Sequence, residues 1–346
     1  MKYINELHEG ENIIEHYLCK SRQTMKSRNG KNYLSLKLQD KTGMVDAKVW
    51  DLNNDIQSFQ ENDFIKVDAD VLIATDPDAD RLGCAVRQPD GEYQLLTGNQ
   101  IASIMLAYIL EAHKQAGTLP KNAAAVKSIV STNFAAKIAE SYGVEMINVL
   151  TGFKWIADQI HQYETGKADH TFMFGFEESY GYLIKPFVRD KDAIQSLTLL
   201  AEVAAYYRSR NMTLYDGLQE LFKKYGYFRE KTIANTYAGV DGPAKIKALM
   251  KKFREEAPTH FAGHQVVVTE DFANGTKTTA DGEVSELGIP ESNVLRYILD
   301  DDTWIAIRPS GTEPKLKFYI GTSADTLDKA NEKLADFEKA LQEFAE

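Results

Sequence analysis

The chain has 346 residues, 43% of them hydrophobic and 26% charged. That composition excludes wholesale disorder, and the length predicts two or three domains. Forty Lys and Arg against 51 Asp and Glu give a net charge of −11, which excludes a chain built as a whole for nucleic acid or an anionic membrane. The two cysteines, Cys19 and Cys84, show no metal-ligand or disulfide spacing, and predict a reducing cytoplasm. No apolar run reaches a membrane span, and the first residues lack a signal peptide's apolar region.

Residues 1–70 read as short strands with tight turns. Leu34, Leu36 and Leu38 alternate with Tyr33, Ser35 and Lys37, and Val45, Ala47 and Val49 alternate with Asp46, Lys48 and Trp50. Period two means half-buried strands. Asp40-Lys41-Thr42-Gly43 and Ser27-Arg28-Asn29-Gly30 are hairpin signals. Closely spaced strands of this kind predict a small barrel.

From Phe64 to Thr75 the texture changes. Val71-Leu72-Ile73-Ala74 is a continuous apolar run, the pattern of a strand buried on both faces of a parallel sheet. Helical periodicity over 101–116, 134–142 and 153–163 then alternates with strands at 126–131, 147–150 and 172–176, with further helices at 193–210 and 214–225. This rhythm predicts a parallel sheet with helices on both faces. Beyond Tyr227, a helix at 242–256, strands at 265–271, 294–299, 303–308 and 315–321, and a last helix from 324 predict a C-terminal α+β domain.

Four loops carry chemistry. In Asp76-Pro77-Asp78-Ala79-Asp80-Arg81 three carboxylates recur at every second position, so they fall on one side of extended chain and can converge on a hard cation such as Mg2+ or Mn2+; an acidic turn is the alternative. An EF-hand would need Gly at Arg81 and Glu at Arg87, so that reading fails. Arg308-Pro309-Ser310-Gly311-Thr312-Glu313-Pro314-Lys315 offers a guanidinium fork, two hydroxyls and a glycine that lets backbone N–H groups approach a phosphate; an ordinary hairpin loop has similar composition. Gly175-Phe176-Glu177-Glu178-Ser179-Tyr180-Gly181 places a carboxylate and a hydroxyl two residues apart, which suits neighbouring sugar hydroxyls or a solvated loop. Thr151-Gly152-Phe153-Lys154 opens a helix after a strand and puts Lys154 at the sheet's ligand edge, unless it is a plain surface lysine.

In order and spacing these loops resemble the α-D-phosphohexomutases (phosphoglucomutase/phosphomannomutase), from about Ala69 onward. The resemblance implies Mg2+ held by Asp76, Asp78 and Asp80, and active-site cations at Arg81 and Lys154. It implies sugar readers at Glu177 and Ser179, and a phosphate clamp of Arg308, Ser310, Gly311 and Thr312. Arg189-Asp190-Lys191-Asp192 resembles a cleft-lining segment, which adds Lys191 to the substrate contacts. The expected reaction is Mg2+-dependent interconversion of hexose 1- and 6-phosphates, with glucose or mannose phosphate as substrate. The family transfers phosphoryl through a phosphoserine in a first domain, on a loop resembling T-A-S-H-N-P. None of the seven histidines here follows a serine or precedes an asparagine, so the chain is expected to be catalytically crippled. A phosphosugar-binding protein without catalysis is a further reading.

The segment from Lys20 to Lys48 holds eight basic residues against two acidic ones, with Tyr33, Lys37, Lys48 and Trp50 on the outward face. Cations interleaved with stacking rings suit single-stranded nucleic acid, and a solvated charged face is the alternative. Residues 38–50 resemble the strand–turn–strand signature of OB-fold domains, most closely those of YhaM-type 3′–5′ exoribonucleases, which implies single-stranded RNA as a partner. The expected organisation is a partial OB-type barrel over 1–68, a remnant of a phosphohexomutase domain with the metal loop over 69–96, the sugar-binding domain over 97–227 and the phosphate-binding α+β domain over 228–346. Residues 67–71 could continue the barrel or begin the strand before Asp76, and one strand cannot easily do both. The junction predicts a chimeric chain with both parents shortened, by gene fusion or by an error of sequence assembly.

Overall fold

The computed structural model describes residues 3–6, 14–27, 30–49, 52, 59–68, 70–311 and 313–345. Arg28, Trp50 and Thr312 lie outside the described residues. The chain is a mixed α/β protein, with seven α-helices among them. It forms two compact units, residues 1–119 with 179–219 and residues 120–178 with 220–346.

Strands β1 (Ile14–Lys26), β2 (Asn32–Gln39), β3 (Met44–Val49) and β4 (Phe64–Asp68) make an antiparallel sheet in the order β3-β2-β1-β4. The alternation in β2 has the expected result: Leu34, Leu36 and Leu38 are buried with Tyr17 and Cys19. Asp40 shapes the β2–β3 turn by accepting the N–H groups of Thr42 and Gly43 at 2.7 and 3.1 Å. The expected barrel is not formed among the described residues, where β3 and β4 are the open edges. Long β1 serves both neighbours in turn, its first part paired with β4 and its second with β2, and the register shifts between Cys19 and Ser21.

The ambiguous junction is resolved as two strands. β4 ends at Asp68 and pairs with β1, whereas β5 (Val71–Thr75) pairs with β6 (Leu82–Arg87), which pairs with β7 (Tyr93–Leu96). The parallel, doubly buried strand expected at 71–75 is therefore corrected: β5 is the antiparallel edge of a three-stranded sheet. Val71 to Ile73 are half-buried, and Ala74 and Thr75 are exposed. An unbroken apolar run does not distinguish a central strand from an edge strand covered on one face. Helix α1 (Gly98–Gln115) follows, started by a capping box in which Thr97 and Gln100 exchange side-chain-to-backbone bonds.

The second unit begins with β8 (Ala123–Ser128), α2 (Asn133–Ser141), β9 (Glu145–Val149), α3 (Phe153–Glu164) and β10 (Thr171–Glu177). Here the βαβ rhythm gives the expected parallel pairing of β8 with both β9 and β10. The chain returns to the first unit with β11 (Gly181–Leu183) and α4 (Ala193–Ser209), which packs on β5 and β6. After α5 (Leu214–Tyr225) come β12 (Tyr227–Thr236), α6 (Gly242–Glu255), β13 (His260–Phe261), β14 (His264–Asp271), β15 (Thr276–Thr279), β16 (Val284–Glu286), β17 (Leu295–Leu299), β18 (Trp304–Pro309), β19 (Lys315–Ala324) and α7 (Leu327–Ala345). The order β12-β19-β18-β17-β14-β15-β16 makes one antiparallel sheet, with β13 beside β14.

Period two gives this sheet two occupied faces. Ile305, Ile307, Phe318 and Ile320 pack with Met250 and Phe253 of α6 and Phe337 and Leu341 of α7. Trp304, Ala306 and Tyr319 pack with Ile129, Val130 and Leu150, at the ends of β8 and β9. That second face brings the β18–β19 loop to the side on which the parallel strands end. No helix among the described residues is long and apolar enough to cross a membrane.

Candidate functional site

The acidic loop is the turn between β5 and β6, and it is built from its own backbone. Asp76 N–H donates to the Arg81 carbonyl at 3.3 Å and Ala79 N–H to the Asp76 carbonyl at 3.0 Å. Asp76 Oδ1 accepts from the N–H groups of Asp80 and Arg81 at 3.2 and 3.0 Å. These bonds, that from Arg81 foremost, hold the Asp76 carboxyl below the usual range. Asp76, Asp78 and Asp80 each offer an oxygen within 4.8 Å of the others. Three convergent carboxylates fit a hard divalent cation.

Lys191 stands beside this cluster. Its ammonium lies 2.9 Å from Asp80 Oδ2 and 2.9 Å from Asp190 Oδ1. Partial burial opposes its charge, but the hydrogen bonds to Asp80 and Asp190 raise its pKa overall. Its side chain passes over Gly181, where a Cβ would overlap it. Gly181 bridges Arg81, Leu82 N–H donates to the Tyr180 carbonyl at 3.1 Å, and Ala193 N–H donates to the Ala79 carbonyl at 3.1 Å. Asp76, Asp78, Asp80, Arg81 and Lys191 are thus assembled in one unit, with half-buried Ser179 one residue before Tyr180.

The second unit assembles another group. Glu177 ends β10, is 9% exposed, and accepts the Gly152 N–H at 2.6 Å. Gly152 precedes α3 with φ at 115°, a conformation that favours glycine. Lys154, in the first turn of α3, is exposed and lies 4.8 Å from the ring of Trp155. Arg308 ends β18, and Ser310 and Gly311 follow in the loop. Ser310 and Gly311 line a cavity of about 800 Å3 with Ile246, Lys247 and Met250. At Tyr319, burial first and then the charge of Glu178 push the phenol up to about 12, while the charge of Arg308 and a hydrogen bond from it oppose the rise. Residue types alone did not single out Tyr319. Its position on β19, sharing a face with Arg308 of the partner strand, was the available signal.

Sequence reasoning also missed Lys127. It is the penultimate residue of β8 with 1% exposure, donating to the carbonyls of Ser131 and Ser128 at 3.0 and 3.5 Å. Burial, reinforced by Arg296, pushes it down to about 7 against the pull of Glu230, Glu178 and Glu270. Ser128 and Ser131, both fully buried, bond to Glu178. A lysine inside an apolar strand, followed by Ser-Ile-Val-Ser, was the signal in the sequence. A second cluster, His264 with Asp300 and Asp301, is ion-paired internally and to Lys333, 2.7 Å from Asp301.

On the N-terminal sheet, Tyr33, Lys37 and Lys48 share the face opposite the leucines. Lys48 bonds to the Ser35 hydroxyl and lies 5.8 Å from the Tyr33 ring, and Lys37 stands opposite Asp46 in register. Lys48 is engaged within the sheet, and Trp50 lies outside the described residues. Nothing here favours the RNA partner.

Comparison with known proteins bears on the family. The model of the phosphoglucomutase/phosphomannomutase alpha/beta/alpha domain III matches residues 97–225, and that of the family's C-terminal domain matches residues 241–340. A phosphoglucomutase of Staphylococcus epidermidis is 42% identical over 271 residues, covering 78% of this chain and 48% of the relative. Phosphoglucomutases of Staphylococcus aureus and Staphylococcus haemolyticus are 39% and 35% identical over the same shares. The chain thus spans about half the length of the curated relatives it matches. Among solved structures, the open form of the Paramecium exocytosis-sensitive phosphoprotein pp63/parafusin superposes with a TM-score of 0.54 at 19% identity, covering 80% of this chain and 45% of that one; this likeness bears on the fold alone. With two family domains matched in order over more than half of its residues, the chain belongs to the phosphoglucomutase/phosphomannomutase family.

Proposed function

We propose that this chain carries the metal, sugar and phosphate loops of a phosphohexomutase acting on glucose or mannose 1- and 6-phosphates, without the serine loop that hands over the phosphoryl group. Residues 69–96 would supply the metal loop, 97–227 the sugar-binding domain and 228–346 the phosphate-binding domain. The observation that carries the reading is the convergence of Asp76, Asp78 and Asp80 within 4.8 Å, in a chain whose matched domains belong to this family.

Each residue has a role in this reading. Asp76, Asp78 and Asp80 hold Mg2+, which when bound neutralises phosphoryl charge. Lys191 and Arg81 contribute positive charge beside that cluster, and Lys154 does so at the start of α3. Glu177 and Ser179 read sugar hydroxyls, and Arg308, Ser310, Gly311 and Thr312 hold the phosphate of the hexose. Phosphoryl transfer consists mainly of positioning and charge stabilisation around a donor, and none of the seven histidines of this sequence follows a serine or precedes an asparagine, as the family's phosphoserine loop would have it. The buried thiols of Cys19 and Cys84, not joined in a disulfide, suit a reducing cytoplasm.

A coupled assay with glucose 1-phosphate and glucose 1,6-bisphosphate tests this function. The chain alone is expected to bind sugar phosphate and show negligible turnover. Robust turnover abolished by Asp78→Ala would overturn the proposed loss of catalysis.

A further inference from the structure

The loop proposed to read the sugar is fastened from behind. Glu178 N–H donates to Ser131 Oγ at 3.0 Å, and Glu178 Oε2 accepts from the hydroxyls of Ser131 and Ser128 at 3.3 and 3.1 Å. Ser128 Oγ and Ser131 Oγ are 2.7 Å apart, so the two hydroxyls and the carboxylate form one connected set. Lys127 ties the Ser128–Ser131 turn together by donating to both carbonyls. On the other side Thr132 caps α2 by accepting the Phe134 N–H at 3.0 Å, and bonds to Glu230 of β12. The turn is thereby anchored to a strand of the second sheet. All of Lys127, Ser128, Ser131 and Thr132 are buried at 0–1% exposure, where hydrogen bonds to charged groups are strongest and leaving one unmade costs most.

We infer that Glu178 is a positioning residue for this loop: clasped inward by Ser128 and Ser131, it fixes the end of β10 so that the preceding Glu177 is held at Gly152 and presented to the hexose. The inference rests on the sugar-reading role proposed for Glu177, and it adds how that side chain is aimed. Glu178 never touches the ligand. The clasp is two-pronged, through backbone N–H and carboxylate, so a single serine controls both the position and the rotation of the residue. The gap of 47 residues between Ser131 and Glu178 also ties β10 to the turn after β8, the neighbouring parallel strand.

Two measurements on the full chain test this, one with a ligand and one without. Titration calorimetry with glucose 1-phosphate in Mg2+ is expected to show about tenfold weaker binding for Glu178→Ala and Ser131→Ala, with affinity for inorganic phosphate kept within about twofold. Glu178→Gln, which keeps an acceptor for the serine hydroxyls, is expected to recover part of the loss. A merely structural role would weaken both ligands alike or neither, and either result overturns the inference. Hydrogen exchange needs no ligand: the Glu178 amide is expected to be protected in the wild type and released in Ser131→Ala. A wild type that binds no glucose 1-phosphate but shows this protection leaves the clasp standing and removes the sugar-reading role. An unprotected Glu178 amide removes the clasp itself.

Discussion

The Asp76–Arg81 turn and the end of β10 with Glu178 are built by opposite means. The first closes largely on itself: Asp76 takes part in the bonds that span residues 76–81, while Ala79, Asp80 and Arg81 are also met by residues 181–193. The second is shaped from a distance, by Gly152 at 25 residues and by Ser128 and Ser131 at 50 and 47 residues. The local turn is half-exposed and charged; the remote one rests on a buried lysine and buried hydroxyls. A site can therefore contain a part shaped mainly by its own residues and a part shaped mainly by distant ones.

The largest expected effect falls on the remote part. Lys127 is held down to about 7 by burial, against an unfolded value near 10.5, so between those values the unfolded chain binds more protons than the folded one. Stability must then rise with pH across that window, by up to about 1.4 kcal/mol per pH unit from this group. Lys127→Met is expected to flatten the rise, by about 3 kcal/mol between pH 7 and pH 10, measured by chemical denaturation. Equal slopes in both proteins would show that the buried network does not bear on folding. At the local turn, Asp78→Ala is expected to remove the stabilisation that Mg2+ gives the wild type, about 2 kcal/mol at roughly thirtyfold over the dissociation constant. Stability without metal should stay nearly constant, because Asp78 shapes little of the turn. A smaller effect is expected from Gly181→Ala, whose methyl would push Lys191 aside at a cost of about 1 kcal/mol. Separation of Lys191 from Asp80 would be read as weaker protection of the Asp76–Arg81 amides from hydrogen exchange.

The same contrast explains what could be read from the sequence. The alternation over residues 33–38, the Asp40–Gly43 turn and the helix at 214–225 all encode structure within a few residues, and each is found where its pattern places it; the acidic triplet, read on extended chain, lies in a turn. Val71–Thr75 was misassigned because an apolar run records burial and not the direction of the neighbouring strand. The barrel expected over residues 1–68 is an open sheet among the described residues, since closure depends on which edges meet. Strand β12 was missed although Tyr227, Arg229, Lys231 and Ile233 alternate with other residues, because neither of its faces is fully buried. Ser131 and Tyr319 escaped because the groups that act on them, Glu178 above all, are remote in sequence; Lys127 escaped because its burial is a property of the folded chain.

The most direct test of the whole account is calorimetry of glucose 1-phosphate binding in Mg2+ to the wild type and to Arg308→Ala. The account predicts one binding event in the wild type, weakened about tenfold or more when the guanidinium that grips the phosphate is removed. Absence of binding in the wild type, or equal binding by both proteins, would contradict it.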